Sequence, residues 1–158
     1  MLSSTIRRAG AAAVLSLAGL TGCLDSTGPD AHEEPDIGGI AVTAAPGGTA
    51  GGFVTVTGTT AAGTLTLRRN ANNALTVQVL GTDAEDEPVV MEHFEEFEVQ
   101  VFLDNALVAT TTSTGYPYAL TLNPGAATGT FNYTVIVRSL EHEHTEFTGS
   151  MPVTIAAQ

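Results

Sequence analysis

The chain predicts an all-β fold, an antiparallel two-sheet sandwich of seven to nine strands, over residues 38–158. Three observations predict it. The composition beyond the first 37 residues is rich in Val, Thr, Gly and Ala, with no Trp and no Lys in the whole chain, which is strand rather than helix composition. Short runs alternate apolar and polar residues between turn residues, as half-buried antiparallel strands do. No stretch keeps an apolar period of 3.6 for three turns.

The expected strands are 39–44, 52–58, 63–69, 74–80, 94–103, 106–112, 117–122, 130–138 and 147–155. The clearest alternations are Leu75/Val77/Val79, Phe97/Val99/Val101/Leu103, Phe131/Tyr133/Val135/Val137 and Met151/Val153/Ile155. Each set lines one face, with Thr, Asn, Gln or Glu opposite. Asp104-Asn105 is a two-residue break suited to a tight hairpin. Asn123-Pro124-Gly125 is a turn in which Pro sets one φ and Gly takes a positive one. Tyr116 and Tyr118 flank Pro117 near a strand start; one is expected in the core and the other in a turn role. Sheets with one apolar face bury it against another layer, so strands of this number stack as a sandwich.

The first 23 residues divide into three zones. Arg7 and Arg8 give a positive start, Ala9 to Leu20 is apolar or small, and Leu20-Thr21-Gly22-Cys23 follows. An apolar run of about a dozen residues is too short to span a bilayer, which needs about 20, but it suits the core of an export signal. Ala9 and Gly10 follow the arginine pair where a twin-arginine signal prefers bulky apolar residues, so the general secretory route is the expected one. Leu20-Thr21-Gly22-Cys23 resembles the lipobox of bacterial lipoproteins. The resemblance implies cleavage after residue 22, a diacylglyceryl group on Cys23 Sγ, and acylation of the new amino terminus with palmitate or a similar chain. Leu24 in place of Asp after the cysteine implies the outer membrane, with the domain on its periplasmic or surface face. Two or more acyl chains anchor stably where one is marginal.

The organisation expected is therefore a signal peptide at 1–22, a lipidated flexible linker at 23–37 (acidic, and broken by Pro29 and Pro35), and the β domain at 38–158. Cys23 is the only cysteine, so an acylated Cys23 leaves no intrachain disulfide, and the fold must stand on its core.

Three stretches, TVQVLGTDAEDEPV (76–89), ALVATTTSTGYPYALTLNPG (106–125) and FNYTVIV (131–137), resemble the immunoglobulin-like and carboxypeptidase-regulatory-like modules of bacterial surface proteins. They cover under half of the chain. The acidic insertion at 90–96 and the charged segment at 139–145 depart from the pattern. The resemblance implies the sandwich and no chemistry, because such modules serve as spacers, adhesins and binding scaffolds alike.

Charge excludes one class of partner. The chain carries 17 Asp and Glu against five Arg, a formal net charge of -12, and the signal would take two of those arginines with it. Such a surface repels phosphate backbones, so nucleic acid is not an expected partner. The membrane is expected as a partner through the lipid alone. The molecule that the domain itself contacts, protein or small ligand, and the oligomeric state are not written in these motifs.

Two acidic, His-bearing clusters stand out. Glu141-His142-Glu143-His144-Thr145-Glu146 would, at strand spacing, place His142 and His144 on one side with Glu141 and Glu143 opposite. His93 and Glu95 lie in a second cluster, Met91 to Glu96. Neutral imidazoles suit Zn²⁺ or Cu²⁺, so neighbouring strands would let His93, His142 and His144, with Glu95 and Glu146, hold a metal. The competing reading is a solvated hairpin tip and a polar strand face, with no cofactor.

Asp83, Glu85 and Glu87 alternate in a turn and suit Ca²⁺, although the EF-hand spacing is missing; a solvated connecting turn is the competing reading. No HExxH, CxxC, GxSxG or phosphate-loop motif occurs, and the glycine pairs at 47–48 and 51–52 precede strands rather than helices. The expectation is a non-catalytic cell-envelope lipoprotein with a binding or structural module, the alternative being an envelope metal-binding protein.

Overall fold

The computed structural model describes residues 36–82, 88–91, 96–112, 115–141 and 143–157. Among them are ten strands and no helix: β1 (Asp36–Ala44), β2 (Gly51–Thr57), β3 (Thr60–Arg68), β4 (Asn73–Thr82), β5 (Pro88–Val90), β6 (Phe97–Leu103), β7 (Ala106–Thr110), β8 (Tyr118–Leu122), β9 (Gly129–Ser139) and β10 (Thr145–Ala156). The all-β fold is as expected, and each of the nine expected strands is present with ends shifted by a few residues. The tenth, β5, is three residues long and follows the acidic stretch 83–87, so it has no alternation to read.

Hydrogen-bonded neighbours run β5-β4-β1-β2-β3-β10-β9-β6-β7, and β8 also pairs with β4. The pairing is antiparallel except for β3 and β10, which run parallel from Leu65↔Val153 to Arg68↔Ala156. That one parallel pair joins the two layers of the sandwich, so hydrogen bonding passes without a break from β4-β1-β2-β3 into β10-β9-β6-β7. Residues of β1 and β2 meet β10 across the interior.

The core between the layers is one cluster that includes Ile40, Val54, Leu65, Val77, Val99, Leu120, Tyr133, Val135, Met151 and Val153. The alternations determine which side chains enter it: Leu75, Val77 and Val79 are buried in β4, and Phe97, Val99 and Val101 in β6. A fully buried side chain of this size contributes about 1.5–3 kcal/mol by leaving water, and this core has no disulfide to supplement it.

Turns place the strand ends. Asp104 and Asn105 have φ of 49° and 66°, positive at both central residues, which is the hairpin turn whose twist matches its strands. Gly125 has φ of 66° and its N–H donates to Asn123 Oδ1 at 3.0 Å, an Asx-type turn after Pro124. Gly52, at φ of 80°, lies where an added Cβ would fall 2.1 Å from the Thr64 carbonyl oxygen, so β2 and β3 approach as closely as they do only because it lacks a side chain.

The register sorts these ends into two poles. β1 begins, β4 finishes, β6 begins, β9 finishes and β10 begins at one pole. The turns at 45–50, 69–72, 104–105 and 123–128 lie at the other. There the link from β3 to β4 is fastened by Asn73, which is fully buried. Its Oδ1 accepts from the Arg68 N–H and Thr49 Oγ1, and its Nδ2 donates to the carbonyls of Arg68, Ala71 and Leu122.

Candidate functional site

The chemistry-bearing residues gather at the pole where β9 turns into β10. Phe97 lies opposite Ser139 and Glu98 opposite Arg138 in the β6–β9 ladder. The Leu140 N–H donates to the Glu96 carbonyl at 2.9 Å, and the Ser139 N–H to the His144 carbonyl at 3.1 Å. Asp36, Glu96, Glu98, Glu141, Glu143 and Glu146 all fall at this pole. At the opposite pole the charged residues among those described are Arg68, Arg69 and Asp104. Among the described residues the acidity is thus polarised along the strand axis.

Strand geometry does not continue through the hairpin tip. β9 ends at Ser139 and β10 starts at Thr145, and Glu143 sits at φ of 56°, a left-handed conformation uncommon for a residue with a Cβ. Glu143 and His144 therefore lie outside both strands, because a reversal between two long strands needs a turn there. The structure brings His144 to Glu146: Nε2 and Oε1 are 2.8 Å apart, with the imidazole 58% exposed. At that exposure the pair is screened and adds little to stability. Arg138 Nη2 donates to the Glu143 carbonyl at 3.4 Å, bracing the tip from below.

Of the expected site residues, His144 and Glu146 are thus brought together. Cys23, Asp83, Glu85, Glu87, His93, Glu95 and His142 lie outside the described residues. Among the described residues no group of three His, Cys, Asp or Glu is close enough to hold a metal ion. β6, which starts after residue 93, and β9, which ends before residue 142, are paired neighbours.

The tyrosines divide as expected. Tyr118 is buried, and its hydroxyl accepts from the Phe97 N–H at 3.2 Å. Burial raises its pKa above the ordinary phenol value, the Phe97 hydrogen bond lowers it, and nearby Glu96 adds to the rise. Tyr116 is half-buried, its hydroxyl accepts from Gln78 Nε2, and its ring stands edge-on to Tyr118 with centroids 6.2 Å apart. The Tyr116–Pro117 peptide is cis.

Two buried groups escape sequence reasoning. Asn73 sits in Asn70-Ala71-Asn72-Asn73, a polar run that reads as an ordinary turn with nothing to mark its last member as buried. The Tyr133 hydroxyl is buried with no hydrogen-bond partner among the described residues, and burial raises its pKa. The alternation predicts an inward Tyr133 but carries no signal about its oxygen.

No protein-family model, curated protein or solved structure matches the chain.

Proposed function

We propose that this protein is a non-catalytic cell-envelope lipoprotein, anchored through Cys23, whose β domain works as a binding or structural module. The observation that carries the reading is Leu20-Thr21-Gly22-Cys23, placing the only cysteine directly after an apolar run headed by Arg7 and Arg8. About a dozen residues lie between Cys23 and β1, which starts at Asp36. A flexible linker of that length reaches about 20 Å root-mean-square, enough to hold an acidic pole beyond the roughly 8–10 Å over which salt leaves surface charge unscreened. The test is metabolic labelling with palmitate. Label should enter the wild-type chain, and Cys23→Ser should lose the label and leave the membrane fraction. A Cys23→Ser chain that stays membrane-bound would refute the anchor.

The second reading is envelope metal binding by His93, His142 and His144 with Glu95 and Glu146. The β6–β9 pairing favours it, because the two His-bearing segments flank adjacent strands. Calorimetric titration with Zn²⁺ and Cu²⁺ tests it. Stoichiometric heat that is lost in the His142→Ala/His144→Ala double variant supports a site; heat indistinguishable from buffer ends the idea.

A further inference from the structure

The wall of the domain returns on itself at one thin seam. β1 and β4 pair along their lengths, β9 and β10 share a ladder running from Thr145↔Arg138 to Ile155↔Gly129, and even the parallel β3–β10 pair holds four register partners. Among the described residues β7 and β8 meet at one bridge, Thr111↔Leu120. One of the backbone hydrogen bonds across it runs from the Thr112 N–H to the Ala119 carbonyl at 3.0 Å.

β7 is weakly held in other respects too. Within its strand span it pairs only with β6, and the register shifts so that Val101 faces Ala109 while Phe102 faces Leu107, leaving Val108 over. Such a bulge interrupts the ladder locally. Leu107 and Val108 are 54% and 39% exposed, so little apolar burial fastens the strand. What holds its far end is Thr111, whose N–H donates to the Val99 carbonyl at 3.0 Å and whose Oγ1 accepts from the Val99 N–H at 3.1 Å. Those bonds tie Thr111 to β6, not to β8.

Behind the seam lies part of the core: Tyr118, Leu120 and Leu122 on β8, and Val99 and Val101 on β6. We propose that the β7–β8 seam is a built-in opening of the fold. β7 parts from β8 while the rest of the wall stays paired, and the inward side of β6 and β8 becomes reachable from outside. β8 keeps its place through the ladder to β4 from Val77↔Tyr118 to Asn73↔Leu122. Segments with few buried apolar contacts and few backbone bonds open far more often than the whole fold unfolds.

Two measurements on the full chain in detergent micelles test this. In native-state hydrogen exchange, the Thr112 amide should exchange at least a hundredfold faster than Val135 and Ile136 amides of β9, and with little dependence on added urea. The Thr112 N–H to Ala119 carbonyl bond holds these two residues against each other across the seam, so Thr112→Cys/Ala119→Cys in a Cys23→Ser chain is the pair chosen to close it with a disulfide. Closing that disulfide should bring Thr111 and its β7 neighbours to the exchange rate of β9. The second measurement needs no staple. With Cys23→Ser throughout, Val101→Cys beside the seam should react with a small thiol reagent at least tenfold faster than Val54→Cys in the opposite layer, both side chains being fully buried. Equal thiol reactivity at these positions, or Thr112 exchange as slow as that of β9, would overturn the proposal.

Discussion

Replacing Asn73 by Ala removes a side chain that makes five hydrogen bonds, to Thr49, Ala71, Leu122 and both backbone groups of Arg68. Each such bond is worth about 0.5–1.5 kcal/mol net, and a buried group left without a partner costs about 1–3 kcal/mol. Nδ2 has two hydrogens for three acceptors, and the turn it fastens is near enough to the pole for water to reach some of the freed carbonyls. The lower part of the summed range therefore applies, about 2–4 kcal/mol. Unfolding entropy of about 2.1 cal/mol/K per residue over a domain of about 120 residues makes this a fall in Tm of about 8–16 °C. Thermal melting followed by circular dichroism, paired with urea titration, measures it. Thr49→Val removes only the outermost of the five bonds and should cost about 1 kcal/mol or less. A fall of under about 3 °C for Asn73→Ala, or equal effects from the two variants, would refute the claim that Asn73 is the pivot of that pole.

Tyr133→Phe should leave the domain as stable as before or more stable by about 1 kcal/mol, because it deletes a buried hydroxyl with no partner among the described residues; urea midpoints decide, and a clear loss would mean the hydroxyl is satisfied. Tyr118 and Tyr133 both have pKa values raised on folding. Their neutral forms are thus favoured in the folded state, and the stability they contribute is fully present below the ordinary tyrosine pKa of about 10 and lost as pH rises above it. The urea midpoint should fall above about pH 10, and less steeply in Tyr133→Phe. Gly52→Ala should lower Tm by at least about 8 °C (about 2 kcal/mol or more), since the new methyl would meet the Thr64 carbonyl at a residue with positive φ. Asn105→Gly should raise stability by a few tenths of a kcal/mol, up to about 1, because φ of 66° at that position suits glycine better.

The parts of this fold that are legible in sequence are those set by local alternation. Leu75, Val77 and Val79, and likewise Tyr133, Val135 and Val137, point inward because period two forces it once one face is buried. The hairpin at Asp104-Asn105 and the turn at Asn123 to Gly125 are legible for the same local reason. Pairing over long separations is not. Nothing near Leu65 or Val153 says that these strands run parallel, and β5 is too short to carry a pattern. The candidate site is legible in composition and not in geometry: the runs at 91–96 and 141–146 look alike in sequence, but only the ladder between Phe97 and Ser139 sets their flanks side by side. His144 meets Glu146 two residues on, while the left-handed Glu143 marks where the hairpin reverses.

The parallel contact between β3 and β10 also governs when the domain can exist. Leu65 must wait for Val153, almost ninety residues later, and β10 sits between β3 and β9, so the hydrogen-bonded link between the layers is missing until it arrives. Pairings so distant in sequence slow folding, since chain entropy is lost before the contact rewards it. A ribosome or a translocation pore releasing this chain from its N-terminus would emit it through Val153 before β3 could pair with β10. If the chain is exported as proposed, that delay is an asset, because a polypeptide threaded through a membrane must remain unfolded until β10 has crossed.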